Sequence, residues 1–259
     1  MKLDLFHLDA FARRPFEGNP AAVCPLDEWL DDAVMQAIAS ENNLSETAFF
    51  VREGEGYRLR WFTPRVEVDL CGHATLASAW VLFHEMEERR EMLRFFTRSG
   101  ELRVSRADEG LAMDFPAKQS EPMADSEAVL AAVGVADADV RITDDILVAV
   151  DDEAIVAALE PDMHALKALP GRGVVVTAPG HEFDIVSRWF GPKVGVDEDP
   201  VTGSAHTSLA PYWSERLGKR RLSAQQGGPR KGELVCEVQG DRVILTGQVA
   251  PYLRGTITI

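Results

Sequence analysis

"RWFTPRVEVD", from Arg60 to Asp69, and "RWFGPKVGVD", from Arg188 to Asp197, say nearly the same thing 128 positions apart. Seven of the ten columns are identical, and one of them pairs Trp61 with Trp189 in a chain that has five tryptophans. The echo continues in chain order. Gly203 falls under Gly72 at an offset of 131, and "RSGELRV" from Arg98 is answered by "RKGELVC" from Arg230 at 132. An offset that grows in small steps is what insertions leave in two diverged copies of one unit. Two copies make a pseudo-symmetric pair rather than a solenoid, so the spacing predicts two similar halves facing one another across a cleft.

Each copy reads as strands around a helix. Asp27 to Asn42 has helical periodicity with acids in its first turn. "NLSETAFFV" (Asn43 to Val51) and "YRLRWF" (Tyr57 to Phe62) read as strands, the second stopped by Pro64. His73 to Met86 is apolar nearly all round until its last turn, so this helix has to be enclosed on most sides. In the second copy a helical stretch from Asp152 to Leu169 precedes the strands "GVVVTA" and "FDIVSRWFGP". A last helix, Ser204 to Leu217, carries Pro211, which is expected to kink or loosen it. "FPAKQSEPMADS" (Phe115 to Ser126) interrupts the pattern and marks the seam. The expected halves are 1–116 and 117–249, with a final strand, 250–259, able to return to the first.

The 259 residues, 46% of them apolar, suffice for one large core or two ordinary ones. A formal net charge of −15 and the lack of a basic, aromatic-studded cluster argue against a nucleic-acid partner. The longest strongly apolar stretch, Ala74 to Phe83, is too short to cross a bilayer. The N-terminal segment carries acids and arginines where a signal peptide keeps an apolar core. No membrane partner and a cytoplasmic location follow as expectations. Three cysteines without C-x-x-C spacing and six histidines without paired-ligand spacing give neither a disulfide framework nor a structural metal site.

The chemistry concentrates at the helix starts. Gly72 and Gly203 each open a central helix, and helix N-termini carry unsatisfied N–H groups that bind carboxylates well. Each glycine could merely make a turn, but a matched pair fits a small anionic substrate held from two sides. Glu46 shares a strand face with Leu44, Ala48 and Phe50 if the strand includes them all. There its carboxylate would be desolvated, which favours proton transfer; at a fraying strand start it would be exposed instead. At the same offset the second half has Val174, so only one half offers such a base. His73 sits in the first turn of its helix, where the positive end favours a neutral ring. Asp199 falls in the stretch that lengthens the second copy, before Pro200, either as a turn residue leading to a cap by Thr202 or Ser204 or as a carboxylate at the anion site.

Four blocks together are specific: "FEGNPAAVCPL" (Phe16 to Leu26), "NLSETAFF" (Asn43 to Phe50), "RWFTPRVEVDLCGHATLASA" (Arg60 to Ala79) and "DEDPVTGSAHTSLAPYW" (Asp197 to Trp213). In order and spacing they resemble the signature blocks of the PhzF-like (phenazine biosynthesis) isomerase family. The resemblance implies an α/β (α+β) fold of the diaminopimelate epimerase-like kind, each half a curled sheet around a central helix. It implies a cofactor-independent and metal-free isomerase that moves a proton between carbons, as in trans-2,3-dihydro-3-hydroxyanthranilate isomerisation, and a homodimer. Carried onto this sequence, Glu46 is the general acid/base, with His73, Asp199 and Ser204 around the substrate. Asn19 helps to bind it, and backbone groups at Gly72 and Gly203 hold a carboxylate. "QGGPRKGEL" (Gln226 to Leu234) departs from the family pattern. Two-thiol epimerases and racemases of the same superfamily carry a cysteine before each helix glycine; here those positions are Cys71 and Thr202, which disfavours that chemistry. An amino-acid or hydroxy-acid epimerase and a non-catalytic binder of small acids are the alternative readings.

Overall fold

Eighteen strands and six α-helices follow one another in the computed structural model, which describes Met1–Ile259. The first stretch runs β1 (Lys2–Ala10), β2 (Asn19–Leu26), α1 (Asp32–Asn42), β3 (Glu46–Glu53), β4 (Gly56–Phe62), β5 (Glu67–Val68) and α2 (Gly72–His84). Next come β6 (Met92–Thr97), β7 (Gly100–Ala107), β8 (Gly110–Pro116), β9 (Glu121–Pro122), α3 (Glu127–Val133), β10 (Asp139–Ile142) and β11 (Ile146–Ala149). Then follow α4 (Glu153–Ala157), α5 (Met163–Ala168), β12 (Val174–Pro179), β13 (Ile185–Gly191), β14 (Val196–Asp199) and α6 (Gly203–Leu217). The chain closes with β15 (Arg221–Gln226), β16 (Gly232–Gln239), β17 (Arg242–Gly247) and β18 (Val249–Thr258). It divides into two units, Met1–Asp114 with Thr246–Ile259, and Phe115–Leu245.

The duplication read from the sequence is written into the strand pairing. In the first unit β1 is antiparallel to β2, β2 parallel to β3, β3 antiparallel to β4, and β4 parallel to β6. In the second, β10 is antiparallel to β11, β11 parallel to β12, β12 antiparallel to β13, and β13 parallel to β15. The same ladder order recurs around α2 and α6. The first unit has one addition, since β18 returns to lie antiparallel along β1.

Register corrects the expected correspondence. Thr47 lies opposite Phe62, while Val174 lies opposite Phe190. The copies are therefore displaced by 128 on β4 and β13 but by 127 on β3 and β12. The counterpart of Glu46 is Gly173, not Val174. Likewise Trp61 pairs with Val68 and Trp189 with Asp199, so Asp199 stands where the first unit has Val68. The extra residues of the second copy lie earlier, around the 3₁₀ turn Pro192–Val194, not at Asp199 itself.

The repeated Arg-Trp-Phe also has a structural reason. Arg60 grips Glu67 with two hydrogen bonds of 2.7 and 2.8 Å, and Arg188 grips Glu198 with two of 2.7 and 2.9 Å. Each guanidinium also lies over the next phenylalanine, Phe62 or Phe190, about 5 Å from its centroid. This fork-to-carboxylate clamp fixes the short strand that leads into each central helix.

α2 is buried on nearly every side, as its composition requires; Leu76, Val81 and Leu82 have no exposed surface. Burying each such side chain contributes about 1.5–3 kcal/mol. The opposite face of the first sheet packs Cys24, Leu26, Phe49 and Phe62 against Met35, Ile38 and Ala39 of α1. That helix begins five residues later than its periodicity indicates, at Asp32, because Trp29 and Leu30 pack against the same cluster in the lead-in. The 152–169 stretch is two helices rather than one. Pro161 breaks it, and Asp152 and Asp162 cap α4 and α5 by accepting from the N–H groups of Ala154, His164 and Ala165. α6 runs through Pro211 without interruption; the Thr207 carbonyl that the missing N–H leaves free accepts from Lys118 N at 2.9 Å. No helix is long and apolar enough to cross a membrane.

Candidate active site

In the first unit three side chains converge. Glu46 is the first residue of β3, yet its side chain keeps only 16% exposure because His73, at the start of α2, covers it. Both sequence readings of Glu46 are thus partly met: a strand start, but a sheltered one. His73 Nε2 lies 3.1 Å from Glu46 Oε2, an ion-pair separation whose angle falls short of a hydrogen bond, so the buried Oε2 has no donor within the protein. Cys71 Sγ lies 3.5 Å from Nδ1 and 4.0 Å from Nε2 of the same ring.

The electrostatic surroundings of His73 run against the neutral ring expected of a helix N-terminus. Burial by itself lowers the His73 pKa, but the Cys71 sulfur and the Glu46 carboxylate beside it lift it well above its ordinary 6.5. Burial also pushes the Cys71 thiol up to about 11, so the thiol is neutral at pH 7. Beside a neutral thiol, Glu46 is the neighbour that favours a charged ring.

Asn19 is fully buried at the first position of β2. Because Ala21 pairs with Glu46 in the parallel ladder, Asn19, two residues earlier, shares the face of Glu46. Gly18 makes this entry possible. It has φ +62°, and a Cβ there would sit 2.1 Å from the Ala10 carbonyl oxygen. Gly72 opens α2 after an extended Cys71 whose side chain caps nothing, so the helix keeps unsatisfied N–H groups in its first turn.

The second unit presents a parallel arrangement with different side chains. Gly203 opens α6 after an extended Thr202, again without a side-chain cap. The expected cap by Thr202 or Ser204 does not form, because both hydroxyls are engaged elsewhere. Thr202 Oγ1 donates to Asp199 Oδ2 at 2.5 Å, and Ser204 Oγ accepts from Arg172 at 2.8 Å. Gln226 ties the turn together: its carbonyl accepts from Thr202 N at 2.9 Å, and its amide donates to the Asp199 carbonyl at 2.9 Å. Arg172 is itself held by Asp145 through bonds of 3.0 and 2.6 Å.

The structure thus gathers Glu46, His73 and Gly72, with Asn19 on the same sheet face, in one unit, and Asp199, Gly203 and Ser204 in the other. Gln226 belongs to the block that departs from the family pattern, so a signal for it existed. Arg172 and Asp145 carry no motif; only the fold pairs them. A hollow of about 660 Å³ in the second unit, bordered by Glu153, His181, Arg188, Gln225 and Lys231, contains none of the candidate residues.

A family model for phenazine biosynthesis-like proteins, PhzC-PhzF, matches residues 8–255. A relative from Pseudomonas aeruginosa, described as an uncharacterized isomerase, is 65% identical over 257 residues, 99% of either chain. The crystal structure of a PhzF-family phenazine biosynthesis protein from Enterococcus faecalis has a TM-score of 0.97 at 48% identity, covering all of both chains. In fold alone, a hydroxyproline epimerase from Agrobacterium vitis is similar, with a TM-score of 0.63 at 10% identity over 99% of this chain and 92% of that one. The fold is accordingly the epimerase-like one that the motifs implied. The chain belongs to the phenazine biosynthesis-like (PhzC-PhzF) protein family and is an isomerase of that family.

Proposed function

We propose that the protein moves a proton between two carbons of a small carboxylate substrate, a reaction similar to trans-2,3-dihydro-3-hydroxyanthranilate isomerisation, with Glu46 as the single acid/base. The observation that carries this reading is one sheltered carboxylate without a counterpart. Glu46 has a buried, donor-free oxygen beside His73, and the equivalent position of the other unit is Gly173. In the proposed step a substrate C–H bond breaks, its proton passes to Glu46, and Glu46 returns it to another carbon. His73 and the first N–H groups of α2 stabilise the negative charge that develops on the substrate. By family resemblance Asp199 is assigned an assisting catalytic role, and Asn19, Ser204 and the backbone at Gly72 and Gly203 are assigned to substrate binding.

The test is turnover of small unsaturated and cyclic carboxylates in heavy water, followed by proton NMR. Solvent deuterium should appear at a substrate carbon, and Glu46→Gln should slow its appearance by about 10²–10⁴-fold. Full activity in that variant would remove Glu46 from the role. A two-thiol racemase has less support, because the position matching Cys71 is Thr202, whose hydroxyl donates to Asp199. Under the proposed reading Cys71→Ser retains exchange, whereas an essential thiol would lose it. Binding without exchange across the whole panel would favour a non-catalytic acid-binding protein. A homodimer and a cytoplasmic location belong to the same proposal; analytical ultracentrifugation checks the first and cell fractionation the second.

A further inference from the structure

Glu46, Cys71 and His73 supply a carboxylate oxygen, a thiol sulfur and a ring nitrogen that all lie within 4.8 Å of one another. No other trio of Asp, Glu, Cys or His donors in the chain gathers so closely. Carboxylate, thiolate and imidazole are the donor types of zinc sites, with bonds near 2.0–2.2 Å to oxygen and nitrogen and 2.3 Å to sulfur. Those lengths put tetrahedral nitrogen–oxygen edges at roughly 3.3 Å and sulfur–nitrogen edges at roughly 3.6 Å. Here Nε2 is 3.1 Å from Oε2 and 4.0 Å from Sγ, so small side-chain adjustments bring three donors onto one ion. A second observation points the same way. Glu46 Oε2 is buried and accepts no well-aligned hydrogen bond; its close polar neighbour is Nε2 of His73, itself one of the trio. The second unit has Gly173, Thr202 and Ser204 at the matching positions, so it offers neither thiol, imidazole nor carboxylate there.

We propose that this trio is a binding site for a single thiophilic divalent cation, zinc above all, and that its occupancy stops the reaction. The ion binds the Cys71 sulfur as thiolate and Nε2 of His73 as neutral imidazole, the thiol proton and the ring's Nε2 proton both passing to solvent, while Oε2 of Glu46 completes three of four positions. The fourth stays open to water. Such an ion is a blocker, because it occupies the lone pair that the substrate proton must reach. The blocking rests on the function proposed above; the binding does not. Mixed thiolate, imidazole and carboxylate ligands select zinc over magnesium, which prefers oxygen alone.

The test uses the full chain after dialysis against a chelator, titrated with zinc chloride against a competing colorimetric zinc indicator. Tight binding of one zinc per chain is expected, with millimolar magnesium unable to compete. Cys71→Ser and Glu46→Gln should each weaken the affinity at least tenfold, while His181→Ala, which alters the exposed His181–Glu153 pair, should not. Zinc binding that is absent, or unchanged in Cys71→Ser, overturns the site. Cobalt(II) gives a second readout on the unmodified protein: a near-ultraviolet thiolate-to-cobalt band is expected, and its absence also overturns the site, whatever the fate of the variants. Zinc bound at the trio with turnover unaffected would keep the site and overturn the block, and with it Glu46 as the base.

Discussion

Gly173, which stands where the first unit has Glu46, is one of the residues that make the two units chemically unequal. A Cβ at this position would lie 2.4 Å from Trp189 Cζ2 and 2.7 Å from the Phe190 carbonyl oxygen. Gly173→Ala is therefore expected to destabilise the protein by about 1–3 kcal/mol, because backbone and a large ring must both shift. Urea unfolding checks this, and a change below about 0.5 kcal/mol would contradict the packing argument. His206 offers a test by pH. Its Nδ1 donates to the Thr202 carbonyl at 3.0 Å, its Nε2 is buried without a partner, and burial lowers its pKa from 6.5 to about 4. The folded state thus keeps the ring neutral where the unfolded chain would protonate it. Its contribution is complete above pH 6.5 and is lost as pH falls toward 4, about 3 kcal/mol in all. Unfolding free energies between pH 7 and pH 4 should fall less steeply in His206→Gln than in the parent. Equal slopes would exclude the effect.

Among the elements, the clamp strands β5 and β14 decide where the central helices begin. Side-chain exposure is 11% for Arg188 and 23% for Glu198, and Arg188 also donates to the carbonyls of Val156 and Leu159. Arg188→Leu leaves Glu198 without its cation and those carbonyls without that donor, with an expected loss of about 3–5 kcal/mol. Chemical denaturation measures it; a loss under about 1 kcal/mol would place the pair among ordinary surface bridges. Periodicity and composition made the all-round burial of α2 and the strands β3 and β4 legible in advance, whereas the kink expected of α6 at Pro211 did not form, because Lys118 N satisfies the Thr207 carbonyl. The lengths of α1 and of α4 with α5 were not legible, because each depends on a local competitor. Trp29 and Leu30 are drawn into the core beside α1, and Pro161 followed by an Asp162 cap restarts the helix at α5.

Across the whole molecule, the last strand is the structural signature of the first unit. β18 runs along β1 from Lys2 opposite Thr258 to Ala10 opposite Val249, although most of its side chains are exposed. Its value to the fold is the backbone ladder rather than apolar burial. A chain ending at Gln248 leaves one side of β1 with unpaired N–H and carbonyl groups, and truncation of that kind is judged by backbone hydrogen bonding. The truncated protein is expected to lose cooperative thermal unfolding of its first unit, as read by amide hydrogen exchange along β1 and β2. Full protection of β1 in that protein would show the strand to be dispensable.

The amino-acid sequence by itself determined the duplication, the enclosed helix opening at Gly72, the matching Gly203, and a lone carboxylate at Glu46, because these are written in periodicity, residue type and spacing. The tertiary structure alone decided that Glu46 answers to Gly173 and Asp199 to Val68, and that Glu46 meets His73 and Cys71. Strand register is set by a ladder of hydrogen bonds between distant segments, and a slip of one residue exchanges the faces of a strand. No local pattern encodes which residue stands opposite which, so the partners of each carboxylate became visible only once the ladders had formed.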